Sequence, residues 1–275
     1  MSDEEELRRA AEWIASADGL LVTAGAGMGI DSGLPDFRGP GGFWAAYPAL
    51  GRAKVAFERI ANPAAFEADP QLAWGFYGHR LKLYRETQPH SGFALLLELA
   101  RKMEHGAWVF TSNVDGQFQK AGFPADRICE VHGSIHHLQC VSACRDAIWS
   151  ADGFIPDVDS EACRLRGDPP ICPHCGSLAR PNILMFGDWG WVERRTALQF
   201  ERLQQWLSAV HRPICLEIGA GTHIPTVRHF SETHGERLVR INPGEPEVPG
   251  EQYAVGLALG GYEGLRRLAE ACGIG

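Results

Sequence analysis

The apolar run Gly19-Leu-Leu-Val-Thr23 opens directly onto AGAGMGIDSGLPDFRG, from Ala24 to Gly39, and this pairing demands a buried strand that ends in a tight turn. Five glycines fall within the fifteen residues from Gly25 to Gly39. Glycine lets the backbone turn sharply and come close to a ligand, and the N–H groups of a strand-to-helix turn can hold phosphate. Asp36, Phe37 and Arg38 add a carboxylate, an aromatic ring and a guanidinium within reach. Turn, ring and cation together suggest a pyrophosphate and a flat heterocycle, hence a dinucleotide. The ordinary G-x-G-x-x-G fingerprint is absent, because its third glycine would fall at Ile30. On the residues alone, a surface ion pair for Arg38 and a core position for Phe37 remain open.

The rest of the chain alternates helix and strand signals. Ser2 and Glu5 form a capping box ahead of Leu7, Ala10, Ala11 and Ile14 at helical spacing. Residues 40–90 are rich in aromatics and broken by Pro48, Pro63, Pro70 and Pro89, which predicts a module of short helices. Helices are then expected over 91–103, 114–121, 193–209, 225–233 and 262–272, and strands over 107–111, 128–131, 213–219 and 237–241. Such alternation implies a doubly wound parallel sheet, a Rossmann-like α/β fold. Between 136 and 182 cysteines cluster and Asp, Pro and Gly interrupt any periodicity. The expected division is therefore a Rossmann-like domain of residues 1–135 and 183–275, with the helical module at about 40–90 and a small zinc-binding insert at 136–182.

Composition narrows the function. A net charge of −8 argues against broad nucleic-acid binding while leaving room for an acidic groove that takes lysine-bearing peptides. No apolar run reaches membrane-spanning length and the N-terminus lacks a secretory apolar region, so a cytoplasmic protein is expected. Eight cysteines without a secretory signal favour a reducing compartment and metal ligation. Cys140-x3-Cys144 and Cys172-x2-Cys175 supply four thiolates in two short-spaced pairs, which suits a closed, structural Zn²⁺ site. Cys163 lies between the pairs and could substitute, whereas Cys129, Cys215 and Cys272 are expected to pack as small apolar residues.

Three further strings could carry chemistry. Thr111-Ser-Asn-Val-Asp115 stands just past a strand's carboxyl end, where open α/β sheets bind ligands. Asn113 and Asp115 could equally be helix N-caps. Glu130-Val-His-Gly-Ser134 places His132 between a short strand and a glycine, and a histidine with an ordinary pKa near ~6.5 can accept a proton at neutral pH. His136 and His137 read as structural, or as groups that support the site from behind its contacting residues. Tyr77 and Arg80 sit at i and i+3 on one helix face, where Tyr77 could pack in the core and Arg80 pair with a surface carboxylate.

Taken together, these strings resemble the sirtuins, the NAD-dependent protein deacylases. The first signature of that family reads GAG, then a serine-glycine pair, then PDFRG. The second reads T-Q-N-[IV]-D before an alanine-glycine pair, here Ala121-Gly122, and the third V/L-H-G-S. Arg180-Pro-Asn-Ile-Leu-Met-Phe-Gly187 is similar to the family strand that pairs with an acyl-lysine peptide, with Asp188 in place of the usual glutamate. Gly219-Ala-Gly-Thr222 stands where the family has G-T-S, and Ile241-Asn242 resembles its I-N pair.

The resemblance implies NAD as co-substrate, bound by Gly25, Ala26, Gly27, Asp36, Phe37, Arg38, Ser112, Asn113, Asp115, Gly219, Gly221 and Asn242. Asn113 and His132 would be catalytic: the acyl oxygen attacks the ribose carbon as nicotinamide leaves, and His132 deprotonates a ribose hydroxyl. Ser112 departs from the family glutamine. The products would be free lysine, nicotinamide and O-acyl-ADP-ribose, and the partners acylated lysine side chains of proteins. Tyr77 and Arg80 match the Y-x-x-R pair of the branch that removes succinyl, malonyl or glutaryl groups. Mono-ADP-ribosyl transfer or NAD hydrolysis on the same fold, and a non-catalytic NAD-sensing module, are the rival readings.

Overall fold

The computed structural model describes residues 3–35, 39–250 and 252–274. Its first half runs α1 (Asp3–Ser16), β1 (Gly19–Ala24), a 3₁₀ turn (Ala26–Ser32), α2 (Gly39–Ala46), α3 (Pro48–Arg52), α4 (Phe57–Ile60), α5 (Pro63–Ala68), α6 (Pro70–Glu86), α7 (Gly92–Ala100), β2 (Ala107–Thr111), α8 (Gln117–Lys120) and β3 (Ile128–Glu130). The second half runs β4 (Gly133–Cys140), β5 (Ile148–Ser150), β6 (Asp157–Asp159), β7 (Arg164–Arg166), β8 (Ala179–Ile183), α9 (Arg194–Ala209), β9 (Pro213–Ile218), α10 (Thr226–His234), β10 (Leu238–Ile241), β11 (Ala254–Leu257) and α11 (Gly261–Ala271).

Six parallel strands form one sheet in the order β11-β10-β9-β1-β2-β3. The chain fills one side from the centre outward, then returns to fill the other, so the direction of winding reverses between β1 and β9. A ligand crevice belongs outside the carboxyl ends of those two strands. β1 is buried along its whole length because both faces of the sheet are covered. Leu20, Val22 and Ala24 pack with Ile14, Leu96 and Leu265 on one face, and Leu21 packs with Leu203 and Val227 on the other.

A second core joins the helical module to the small β-structure. Phe66, Trp74, Phe76 and Tyr77 pack in one cluster with Ile135, Leu138, Cys163 and Leu165. The β6–β7 hairpin lies directly on α6, and glycines permit the approach. A Cβ at Gly75 would stand 2.1 Å from the carbonyl oxygen of Cys163. Gly75→Ala therefore forces backbone apart and should cost about 3 kcal/mol, read as a lowered midpoint in denaturant unfolding.

Several expectations change. The helix expected over 114–121 shrinks to Gln117–Lys120, because Gly116 takes a left-handed φ of 73° and residues 113–116 form a loop. The helix expected to reach 103 ends at Ala100. β11 had no expectation; its four residues carry too short an apolar run to read. β4 and β8 pair antiparallel from Gly133↔Ile183 to Cys140↔Ala179, so the small sheet begins at the residue following His132. Ser2, half of the expected capping box, lies outside the described residues.

Candidate active site

The two glycine turns interlock at the point where the winding reverses. Gly25 N–H donates to the carbonyl of Ile218 and Gly27 N–H to that of Gly219, both at 3.0 Å. A Cβ at Gly25 would meet the Gly219 oxygen at 2.7 Å, and one at Gly219, where φ is +62°, would meet Gly27 Cα at 2.4 Å. Both positions thus demand glycine for close approach. Asn242 is fully buried and its side chain is wholly engaged with backbone: Nδ2 donates to the Ala220 carbonyl, and Oδ1 accepts from Gly244 and Glu245 N–H. Gly221 sits beside Glu245, whose carboxylate accepts from Thr222 N–H at 3.0 Å and from its hydroxyl at 2.6 Å. The two turns thus meet backbone to backbone, the side-chain-free approach that a pyrophosphate-binding turn requires.

The Thr111–Asp115 string is tied to the same turn. Thr111 Oγ1 donates to the Ala24 carbonyl at 2.9 Å and accepts from Asn113 N–H, while Asn113 Nδ2 donates to the Gly25 carbonyl at 2.9 Å. Ser112 is held through its own N–H to the Ala24 carbonyl. Asp115 is buried and its Oδ1 accepts from Gln117 N–H at 2.9 Å. Burial pushes its carboxyl up to about 6; the Gln117 N–H opposes the rise, nearby Glu130 adds to it and the Arg80 guanidinium opposes it.

His132 follows β3 and is half-buried, and burial lowers its pKa below the ordinary histidine value. Its carbonyl accepts from Leu184 N–H at 2.9 Å, and Gly133 beside it has φ +79° with room only for hydrogen, since a Cβ would stand 2.1 Å from the Asn182 oxygen. The 111–115 and 131–136 segments run together: Val131 N–H donates to the Thr111 carbonyl, Ile135 N–H to that of Val114, and His136 Nε2 meets that of Asp115 at 2.9 Å. His136 is thus structural, as expected. Hydrogen bonds thus tie the segments that carry Asn113, Asp115 and His132 to the turn that carries Gly25. Asp36, Phe37 and Arg38 lie outside the described residues.

Beyond His132, β8 leads out to Leu184 and a loop that sequence reasoning underread. Arg180 and Asp188 form an ion pair at 2.8 Å with both side chains fully buried, and Asp188 also accepts from Met185 and Gly190 N–H. The shorter carboxylate at 188 closes this loop and leaves Trp189 almost fully exposed at 99%. The signal was available: an arginine and an aspartate eight residues apart flank the glycine of the string.

On α6, Tyr77 is buried and stacks on Phe66, while the Arg80 guanidinium lies 5.9 Å from the Tyr77 ring. Arg80 Nε and Nη2 both donate to the Tyr84 hydroxyl, at 3.0 and 2.7 Å. The structure brings Tyr77 and Arg80 together and adds Tyr84, a third member visible as i+4 from Arg80. The surface ion pair considered for Arg80 does not fit its burial at 9% exposure.

The four thiols of Cys140, Cys144, Cys172 and Cys175 all lie within 4.8 Å of one another. Cys140 and Cys175 are 3.6 Å apart, and Cys144 and Cys172 3.7 Å. A Zn²⁺ with four sulfurs at about 2.3 Å requires edges of about 3.8 Å, so the set fits a closed tetrahedral ion. The longer Cys140–Cys144 spacing is absorbed by Ala143, which adopts a left-handed φ of 43°. Cys163 does not substitute: it is 2% exposed in the core shared with α6, away from the four. Cys129 and Cys215 are fully buried, as small apolar residues should be, and Cys272 packs against the main core.

Comparison with known proteins agrees with this geometry. The model of the Sir2 family matches residues 25–209. A protein of Thermococcus sibiricus named NAD-dependent protein deacylase is 30% identical over 239 residues, 86% of this chain and 84% of that protein. NAD-dependent protein deacylase 1 of Pseudomonas aeruginosa is 33% identical over 86% of this chain and 88% of its own length. The deacylase of Pyrococcus furiosus is 35% identical, with 64% of this chain matched to 63% of that protein. Among solved structures, a Sir2 homologue in complex with NAD superimposes with a TM-score of 0.70 at 25% identity, covering 99% of this chain and 96% of the other. A family model over residues 25–209, with relatives at 30% and 33% identity that span most of both chains, shows that the chain belongs to the Sir2 family.

Proposed function

We propose that this protein is an NAD-dependent protein-lysine deacylase that releases nicotinamide and O-acyl-ADP-ribose. The observation that carries the reading is the convergence of Asn113, Asp115 and His132 on the interlocked glycine turns. NAD, when bound, supplies the ribose carbon that receives the acyl oxygen as nicotinamide departs. Gly25, Gly27 and Gly219, whose own N–H groups hold the Ile218, Gly219 and Ile241 carbonyls, shape the turn in which the Ala26 and Gly221 N–H groups take its pyrophosphate end, and Asn242 keeps the adenosine-side loop in shape. Asn113, fixed by the Gly25 carbonyl, lines the ribose, and Asp115 faces the nicotinamide amide. His132, kept neutral at pH 7 by burial, takes the proton from a ribose hydroxyl. By the family likeness, Asp36, Phe37 and Arg38 would contact the cofactor. Zn²⁺ on the four cysteines is structural, because no coordination position stays open.

The acyl-lysine peptide extends the small sheet beside β8, past Leu184. Arg80 directs its Nε/Nη2 edge at a phenolic oxygen, and that same edge grips a carboxylate bidentately. This supports removal of succinyl, malonyl and glutaryl groups alongside acetyl, with Tyr77 and Arg80 as the acyl-binding pair. The location that fits this reading is the cytoplasm; among the described residues no helix is long and apolar enough to cross a membrane.

Mass spectrometry of products from NAD and a panel of acyl-lysine peptides tests both levels. Deacylation yields O-acyl-ADP-ribose; free ADP-ribose or a labelled protein without it would instead assign NAD hydrolysis or ADP-ribosyl transfer, a rival for which Ser112 and the Met28-Gly29 pair leave room. Arg80→Met should lower desuccinylation relative to deacetylation by about 10²-fold, the worth of a charge-assisted bidentate pair. An unchanged ratio overturns the acidic-acyl assignment and leaves deacylation standing.

A further inference from the structure

A cleft of about 1110 Å³ opens between α8, β4, β5 and α9, with Tyr84 and Asp115 among its lining residues. Its character contradicts that of the chain as a whole, which carries a net charge of −8. Arg194, Arg195 and Arg202 line it from α9, with Arg85 and Lys120 opposite. Against these five cations stand the Asp146 carboxylate and, in the floor, Asp115. We infer that this cleft is a binding site for a small polyanion of the phosphate or polycarboxylate class.

Three observations carry the inference. The first concerns α9, whose first turn holds Arg194 and Arg195 and no acidic residue. A helix N-terminus is itself electropositive, so two cations there, with only the Glu193 carboxylate at the N-cap beside them, are disfavoured by about 0.3–1 kcal/mol each. Spacing then places Arg202 two turns on, along the same face as Arg194, Arg195 and Gln199.

The second is that four of the five cationic groups have no carboxylate among their hydrogen-bond or ion-pair partners within the described residues. Lys120 Nζ donates to the carbonyls of Arg85 and Thr87, and Arg85 donates to those of Ala151 and Phe154, all of them uncharged partners. Arg195 pairs with Glu130 through Nη2 alone. Arg194 and Arg202 are exposed and have no ion-pair partner among the described residues.

The third is an unsatisfied donor at the wall. Arg195 Nη1 is buried and bonds to nothing among the described residues. Buried polar atoms are nearly always hydrogen-bonded, and this orphan beside the cleft marks where an oxygen is missing. An anion carrying several oxygens answers the charge of α9 and this donor at once.

The test is calorimetric titration of the full-length, zinc-loaded protein with inorganic pyrophosphate and with propane-1,2,3-tricarboxylate. ADP-ribose is kept saturating throughout, so that the dinucleotide crevice is filled. One of the two probes should bind one-to-one, which also decides between phosphate and carboxylate. Binding should weaken at least about tenfold in the double variant Arg194→Glu/Arg202→Glu, two exposed positions whose replacement leaves the core intact. Deacylation without added anion should be unchanged in that variant, which shows it to be folded. Failure of both probes to bind overturns the inference, as does equal affinity in the variant. Binding of polyglutamate but of neither small probe overturns it in favour of a docking surface for acidic protein segments.

Discussion

His132→Ala should lower kcat for deacylation by about 10³-fold, the usual contribution of a positioned general base, with zinc content and NAD affinity unchanged. The reasoning is local. The ring is the part of His132 that the site uses, whereas its backbone carbonyl, which accepts from Leu184, survives the substitution. Neither ring nitrogen has a hydrogen-bond partner among the described residues, so truncation leaves no stranded group behind. The same residue sets the acidic side of the pH profile. A base must be neutral to accept a proton, and burial lowers the pKa of His132, so its neutral form persists to lower pH than that of a free histidine. Asp115, titrating at about 6, is ionised above that pH. Both groups place the acidic limb of kcat/KM below about pH 6.5, the ordinary histidine value. Undiminished turnover in His132→Ala, or a limb above pH 7, would remove His132 from the role of base.

Removing zinc should have the second large effect. Cys140 ends β4, and Cys172 and Cys175 precede β8, so the ion ties together the two strands that lead to His132 and to the peptide-binding edge. Structural Zn²⁺ in small domains is worth about 10–16 kcal/mol to folding, and without it four thiols gathered within 4.8 Å hold little together. Cys172→Ala, or stripping with a chelator, should lower Tm by about 10 °C or more and abolish deacylation. Circular dichroism should show the six-stranded sheet and its helices largely retained, because the two glycine turns lie on a separate core. Full activity after complete loss of zinc would overturn this coupling.

Much of the fold was legible in the sequence, and the reasons are specific. β1 and β2 were readable because each is a short apolar run bounded by turn residues. The glycine turns were readable because no other residue fits positions 25 and 219. The small antiparallel sheet was not: β4 contains two histidines and a glutamine, and its burial comes from α6, far away in sequence. Asn113 and Asp115 show that the alternatives raised for such residues need not exclude one another. Asp115 does accept from the N–H two residues on, as a cap would, and is buried in the crevice as well. Tyr84 went unread because its partner, Arg80, acquires meaning only once both are buried.

The core shared by α6 and the small β-structure bears on motion. Phe66, Trp74 and Tyr77 on one side and Ile135, Leu138 and Cys163 on the other form a single apolar body. Elements that share one core open and close as one cooperative unit. The helical module and the zinc-bearing sheet therefore loosen together, so a substitution that opens this core reaches the strand beside His132 and the helix that carries Arg80 alike.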